Sequence, residues 1–150
     1  MDKIKTVLIV AVSIVMDFLG ILAIPVFLMV GCNIIDYITG LMASKYREEQ
    51  ISSYKGIRGI TKKVCMWLLV VVGSFIDVII NYAAQYMGIG FKIPFIVATF
   101  VAVWIVANEI ISILENMIDI GINLPPFLMP LVRRIKKEIE TIANEDNELQ

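Results

Sequence analysis

Residues 6–43 form an almost unbroken apolar run. As a single helix these 38 residues would be about 57 Å long, whereas the hydrocarbon core of a bilayer is ~30 Å thick. We therefore predict a hairpin of two membrane spans, residues 6–24 and 26–43, with Gly20 and Pro25 at the break. A cleaved signal peptide is the alternative for the first span, but the run is too long and lacks a small-residue cleavage site.

The composition supports the same class of protein. Hydrophobic residues make up 59% of the 150 residues, and the mean hydropathy is +0.83, whereas soluble domains contain about 45–50% apolar residues. The net charge of −1 gives no indication of a nucleic-acid partner. Because the chain has no histidine, it cannot form His-based zinc sites or Ser-His-Asp triads. Cys32 and Cys65 lie in or beside apolar runs, which favours buried thiols over a disulfide or a metal pair, and we predict no cofactor.

A polar segment, residues 44–63, separates the first two predicted spans from two more at residues 64–87 and 94–120. Its excess of basic residues places it in the cytoplasm by the positive-inside rule. The fourth span ends near Gly121, which is suited to a helix C-cap. The basic residues of the segment are Lys45, Arg47, Lys55, Arg58, Lys62 and Lys63.

The C-terminal residues 127–150 are expected to form an amphipathic helix followed by an acidic tail. This helix could lie on an anionic inner leaflet or pack on a neighbouring subunit, and the pattern does not separate the two. The predicted fold is therefore an all-α integral membrane protein, with about four transmembrane helices in two hairpins within residues 1–126 and a cytoplasmic amphipathic helix. Both termini are expected in the cytoplasm. The apolar positions are Leu131, Val132, Ile135, Ile139 and Ile142, and the basic ones are Arg133, Arg134, Lys136 and Lys137.

Six carboxylates lie inside or at the ends of the predicted spans, without a lysine or arginine in the spans to pair with them. An ionised carboxylate at the bilayer centre costs on the order of 2.5 to 3.5 kcal/mol on insertion scales. We therefore expect these side chains to face protein or water rather than lipid. They are Asp17, Asp36, Asp77, Glu109, Glu115 and Asp119.

Polar and small residues in three of the spans recur at helical spacing. At 100° per residue, those of the fourth span fall within about 120° of one helix face. Small residues at such steps let helices approach closely, and amides and carboxyls can hydrogen-bond across the contact. The polar faces comprise Asn108, Glu109, Ser112, Glu115, Asn116 and Asp119 in the fourth span, Gly73, Asp77 and Asn81 in the third, and Asn33, Asp36, Thr39 and Gly40 in the second.

Two interpretations of these faces remain. They can pack against one another inside a monomeric bundle, with the acids protonated or hydrogen-bonded. Alternatively they form contacts between subunits and line water in an open assembly. We favour the second, because six acids without a base are difficult to satisfy within 150 residues.

Four sequence motifs occur in an order that resembles the phage lysis and toxin-secretion holin family, which includes the toxin-release holins of clostridia. They are "DYITG" (36–40), "SSYKGIRGITKK" (52–63), Asp77, and "NEIISILENMIDIGINLPPFL" (108–128). The resemblance covers roughly residues 30–130. The long N-terminal apolar run departs from it, since members are often described with three spans.

The resemblance implies a small protein of the bacterial cytoplasmic membrane that forms homo-oligomers and opens a large lesion. Through this lesion an endolysin reaches the cell wall or a large toxin leaves the cell. By matched position, the family's characteristic residues are Asp36, Thr39, Gly40, Ser52, Ser53, Gly56, Gly59, Lys63, Asp77, Asn108, Glu109, Ser112, Glu115, Asn116, Gly121 and Pro125.

Other classes of function are open to the same residues. The acidic faces could belong to a small cation or proton channel, or the 44–63 segment could dock a cytoplasmic protein. An enzyme is not expected, because "GIRGITKK" lacks the P-loop pattern and follows no predicted strand. Ser52 and Ser53 fit a helix N-cap or turn better than nucleophiles, since no histidine is available as a base.

Overall fold

The protein is helical throughout the part of the chain that the computed structural model describes, residues 2–47, 53–90 and 94–145. No strand occurs in these ranges, so the prediction of an all-α protein is confirmed. The helices are α1 (Asp2–Leu19), α2 (Ala23–Tyr46), α3 (Ser53–Tyr86), α4 (Ile96–Asp119) and α5 (Leu128–Glu145), and a 3₁₀ turn, Gly20–Leu22, joins α1 to α2.

Three to four of these helices are apolar and long enough to cross a membrane. They fall into three continuous stretches, because α1, the 3₁₀ turn and α2 follow one another without a loop. The stretches are Lys3–Tyr46, Gly56–Tyr86 and Ile96–Asp119.

The N-terminal stretch differs from the predicted hairpin. The break lies at Gly20, whose φ of 51° is in the left-handed region that glycine adopts without strain. Pro25 instead lies in the first turn of α2, where a helix does not need its missing N–H group. No loop separates α1 from α2, and nearly all described side chains of α1 are exposed rather than packed along α2. The ring of Phe18, near the end of α1, packs against Phe95 with centroids 6.2 Å apart.

The predicted polar loop 44–63 is also shorter than expected. Its first residues belong to α2 and its last eleven, residues 53–63, belong to α3, which is 34 residues long. The prediction began the third span where the polar residues end, whereas α3 continues through those residues and through Gly56 and Gly59. Nothing lies within 4 Å of a Cβ built on either glycine, so both occupy an open side of the helix. Ser52, expected to cap this helix, is outside the described residues.

Helix α4 is the centre of the molecule and contacts α2, α3 and α5. Its apolar core side carries small residues, so the neighbouring helices approach closely. A Cβ on Gly73 of α3 would lie 2.9 Å from the Cα of Ala98, a separation that only glycine permits. The core around α4 consists of Leu22, Met29, Val70, Ala98, Ala102, Ile105 and Val106.

The C-terminal end of α4 has the geometry of a Schellman motif. Gly121 has a φ of 94° and donates its N–H to the carbonyl of Ile118, while Ile122 donates to the carbonyl of Met117. These bonds satisfy carbonyl groups that the helix leaves open at its end. Gly121 is the residue that the sequence predicted for this cap.

Helix α5 packs on α4 through one part of its apolar face. Val132 is buried against Ala107 and Leu114 of α4. Leu131 and Ile135 remain about half exposed. The apolar face of α5 is therefore wider than its contact with α4.

Candidate functional site

The polar face of α4 divides into two edges in the structure. Glu109 and Asn116 are buried, with 5% and 8% of their surface exposed, and they face α2 and α3. Glu115 lies at the other edge and is exposed, beside α5. Asn108 and Ser112, between the edges, are half-buried. The single face predicted from the sequence therefore meets two different environments.

Lys63 of α3 pairs with the carboxylates of two other helices. Its Nζ donates to Asp36 Oδ2 at 2.9 Å and to Asn33 Oδ1 at 3.0 Å, both on α2, and it forms an ion pair with Glu109 of α4. The statement that no base accompanies these acids is therefore wrong. The long lysine side chain reaches inward from the segment that was assigned to a loop, because that segment is helical.

Arg47, in the turn that follows α2, provides a second base. Its Nε donates to Asp119 Oδ2 at 2.7 Å, and its Nη2 donates to Asn116 Oδ1 at 2.9 Å. The Nδ2 of Asn116 in turn donates to Asp36 Oδ1 at 3.1 Å and to Thr39 Oγ1 at 3.3 Å. Asn116 and Asp36 thus join the contacts of Arg47 to those of Lys63.

We refer to these connected residues as the polar network. It contains three carboxylates and two basic side chains, so it carries a net charge of −1 when every group is ionised. Within the described residues, no buried side-chain nitrogen or oxygen lacks a hydrogen-bond partner. Gly40 lies beside the network. A Cβ built on Gly40 would be 3.6 Å from Asn116 Nδ2. The members are Asn33, Asp36, Thr39, Arg47, Lys63, Glu109, Asn116 and Asp119.

Asp77 has a separate role at the opposite end of α4. Its two carboxylate oxygens accept hydrogen bonds from the backbone N–H groups of Val97 and Ala98, each at 2.9 Å. Phe95, at the N-cap position, makes no side-chain cap. Asp77 on α3 therefore caps α4 from a neighbouring helix, where a negative charge is also favoured by the helix dipole.

The remaining predicted polar residues make local contacts or face outward. Asn81 Nδ2 donates to the carbonyl of Asp77, and Asn108 Nδ2 donates to the carbonyl of Trp104, each one turn earlier in its own helix. Ser112 makes no hydrogen bond with the described part of the chain. Asp17 lies in the last turn of α1, is exposed, and has no partner among the described residues.

Most of the basic residues predicted at the membrane surface are exposed. The side chain of Lys55 lies outside the described residues. Arg133 approaches Glu115 at 3.6 Å, and Lys136 lies 5.6 Å from the centre of the Trp104 ring. Those with exposed side chains and no other contact described here are Lys45, Arg58, Lys62, Arg134 and Lys137.

The inward position of Lys63 could have been found in the sequence. Lys63, Val70, Asp77 and Ala84 follow one another at steps of seven residues, which is about two helical turns. The last three are buried, and Lys63 is half-buried. This spacing extends the buried face of α3 beyond its apolar part. The sequence prediction missed the inward position of Lys63 because it began the third span at residue 64.

The network can hold helices together, but its chemistry does not suggest catalysis or metal binding. The described residues contain no group of three Cys, Asp or Glu side chains that could hold a metal ion. The Lys63 ammonium and the Arg47 guanidinium already contact one oxygen of each of the three carboxylates. Removing one partner of such a buried pair is costly, because the remaining charge is left without compensation. The arrangement is therefore suited to a contact that either forms completely or separates.

Comparisons with known proteins point to a membrane function. Residues 13–137 match the bacteriophage holin family. A probable holin of Bacillus phage phi105 is 28% identical over 122 residues, which cover 81% of each chain. An uncharacterised protein of Clostridium perfringens is 26% identical over 114 residues, 76% of each chain.

An uncharacterised protein of Listeria monocytogenes is 36% identical over 97 residues, which cover 65% of this chain and 61% of the relative. The chain thus spans less than two thirds of the length of this relative. No solved structure matches the chain. The family match extends from α1 to α5 and includes every residue of the polar network. The chain belongs to the bacteriophage holin family.

Proposed function

We propose that this membrane protein acts as a holin that oligomerises in the bacterial cytoplasmic membrane and opens a large, non-selective lesion. The family match and the similarity to a probable phage holin support this role. The cargo would be an endolysin or a protein toxin, and release requires no direct contact with the holin. The phage relative favours an endolysin.

The observation that carries the proposal is that the charged groups of the polar network are paired with one another within one chain. A holin must remain harmless after insertion and then expose polar surface cooperatively. Lys63 and Arg47 neutralise carboxylates that lipid could not accommodate. When α2, α3 and α4 separate, the same carboxylates and amides become available to other subunits and to water.

The topology that we propose has four crossings and both termini in the cytoplasm. The stretch Lys3–Tyr46 has 44 residues, and as one straight helix it would be about 66 Å long, twice the ~30 Å hydrocarbon core. In the structure α1 does not fold back along α2, so this topology requires the chain to reverse at Gly20, where a residue in the left-handed region already interrupts the helix. The basic residues between α2 and α3 would then lie on the cytoplasmic side, and α5 would lie near the anionic inner leaflet.

The holin family is not enzymatic, so the prediction that the chain is not an enzyme is confirmed. A small cation or proton channel built on the same acidic faces is the other function that the sequence allowed. A channel would pass ions without protein. A protein that only docks a cytoplasmic partner would change no permeability.

The test is induced expression in a bacterium that also contains a cytosolic reporter enzyme and, separately, an endolysin. We expect the reporter to leave the cells abruptly after a delay, and lysis to follow only when the endolysin is present. The control is a chain with α4 interrupted by Ile105→Pro, which should not insert correctly. Ion leakage without escape of the reporter at any time would contradict the proposal and support the channel.

A further inference from the structure

Helix α5 covers a face of α4 that is distinct from the polar network. We define this covered face by Trp104, Ala107, Ile111, Leu114 and Glu115. Val132 is buried against Ala107 and Leu114. The indole Nε1 of Trp104 donates to Glu140 Oε1 at 3.0 Å. Arg133 approaches Glu115 at 3.6 Å. The apolar contact of Val132, the two polar contacts and the Lys136 ammonium near the Trp104 ring together hold α5 in place.

The direction of α5 places its charges along the membrane-spanning part of α4. Arg133 lies beside Glu115, and Glu140 lies beside Trp104, so the two helices are antiparallel. Trp104 precedes the end of α4 at Asp119 by 15 residues, which corresponds to about 22 Å of helix. A docked α5 would thus carry its charged side chains deep into the hydrocarbon core.

The charges of α5 are not neutralised well enough for that position. Arg134 and Lys137 are exposed and have no partner among the described residues, and the Arg133 side chain is 63% exposed. Ionised side chains that face hydrocarbon are strongly unfavourable. The exposed apolar residues Leu131 and Ile135 instead suit a helix that lies at a lipid surface with its basic side toward anionic headgroups.

The departure of α5 leaves the covered face of α4 without an intrachain partner. Glu109 and Asn116 keep their contacts with α2 and α3, but Glu115 loses Arg133, and Ser112 has no partner within the described residues. Polar side chains of this kind are satisfied in membranes by another helix, and small residues such as Ala107 allow close approach.

We propose that α5 and a second copy of the chain compete for the covered face of α4, so that docked α5 prevents assembly. This inference rests on the proposed holin function, because it identifies the subunit contact of the assembly. The occupant is the same face of α4 on the second copy. Ser112, which lies beside this face, can donate its hydroxyl to the Glu115 carboxylate of the other copy.

The first test is crosslinking of the full chain in proteoliposomes that contain anionic lipid. Cys32 and Cys65 are replaced by Ala, and a single cysteine is introduced as Ile111→Cys on the covered face. The matched control is Ile79→Cys, on the exposed side of α3. We expect a thiol crosslinker to join two copies through residue 111 and not through residue 79. Equal yields at both positions would overturn the proposal.

The second test fixes α5 on α4 with a disulfide, using Leu114→Cys with Val132→Cys in the cysteine-free chain. The disulfide prevents α5 from leaving α4, so we expect release of an encapsulated fluorescent protein to be about tenfold slower before reduction than after it. Equal release before and after reduction would overturn the competition. If the parent chain releases no protein in either state, the holin function fails while the crosslinking result still decides the interface.

A charge substitution tests the same competition without a disulfide. Val132→Asp places a carboxylate in the apolar contact with α4, and Thr141→Asp adds the same charge at an exposed position of α5. We expect the yield of the residue 111 crosslink to increase in the first variant and to remain at the parent level in the second. Equal yields in both variants would contradict a role of docked α5 in limiting assembly.

Discussion

At the residue scale, Lys63 and Asp77 show how α3 contacts α4 at two points, the middle of α4 and its N-terminal end. Lys63 is half-buried and forms ion pairs with two carboxylates on two different helices. Asp77, with 1% of its surface exposed, accepts hydrogen bonds from the first N–H groups of α4. Lys63 neutralises charge that would otherwise oppose helix packing, whereas Asp77 fixes where α4 begins. Both act through contacts between residues that are far apart in the sequence.

The contact of Lys63 predicts that the variant Lys63→Met lyses cells earlier than the parent chain. Asp36 and Glu109 would lose their base while remaining largely buried, and leaving a buried charge without its partner costs about 3–5 kcal/mol. The closed arrangement of α2, α3 and α4 would therefore be less stable, so fewer copies would be needed to open the membrane. The measurement is the delay between induction and lysis.

Lys62→Met is the matched control, because Lys62 is the preceding residue of α3 and is exposed. It should leave the delay close to that of the parent. The triple variant Lys63→Met, Asp36→Asn, Glu109→Gln removes the unpaired charges and should restore part of the delay. Identical lysis times for the Lys63 and Lys62 variants would show that the polar network does not hold the closed state.

At the element scale, α3 is the longest helix because its buried face continues past the apolar segment. Lys63, Val70 and Asp77 share this face, so the polar ends and the apolar middle of α3 all contact the bundle. Gly73 lies between Val70 and Asp77, where α3 and α4 are in close contact. The close contact brings Asp77 within hydrogen-bond distance of the α4 backbone.

The close approach predicts opposite effects for alanine at two glycines of α3. Gly73→Ala would place a Cβ 2.9 Å from the Cα of Ala98, and overpacking of this kind costs about 1–3 kcal/mol. Gly59→Ala meets nothing within 4 Å and should stabilise the helix by up to ~1 kcal/mol. The measurement is thermal unfolding in one detergent. A Gly73 variant at least as stable as the Gly59 variant would contradict the close helix contact.

At the scale of the whole molecule, the polar groups between the helices have partners within the chain, whereas the surface carries apolar side chains and a few polar ones that need other partners. The polar network joins α2, α3 and α4 within one chain, whereas α1 and much of α3 expose apolar side chains. Lipid can cover this apolar surface. The half-buried or exposed polar residues of α4, such as Ser112 and Glu115, require protein or water. The structure thus combines a stable closed chain with a surface suited to assembly.

The proposed topology predicts which residues a membrane-impermeant thiol reagent can reach in intact spheroplasts. In the cysteine-free chain, Ile89→Cys, between α3 and α4, should be labelled directly. Lys5→Cys and Lys137→Cys should be labelled only after permeabilisation. Direct labelling of Lys5→Cys together with protection of Lys137→Cys would show an odd number of crossings, and Lys3–Tyr46 would then cross once.

The sequence by itself determined the class of the protein, the polar residues of the helices and the end of α4 at Gly121. These features depend on hydropathy, helical periodicity and backbone conformation, which are local properties. Only the tertiary structure decided that Lys63 and Arg47 pair with the carboxylates and that Asp77 caps α4. These contacts depend on a helix that extends beyond its apolar segment and on long side chains that reach neighbouring helices. A local sequence pattern does not give the distance between side chains on different helices. The polar network could therefore be identified only from the packing of α2, α3 and α4.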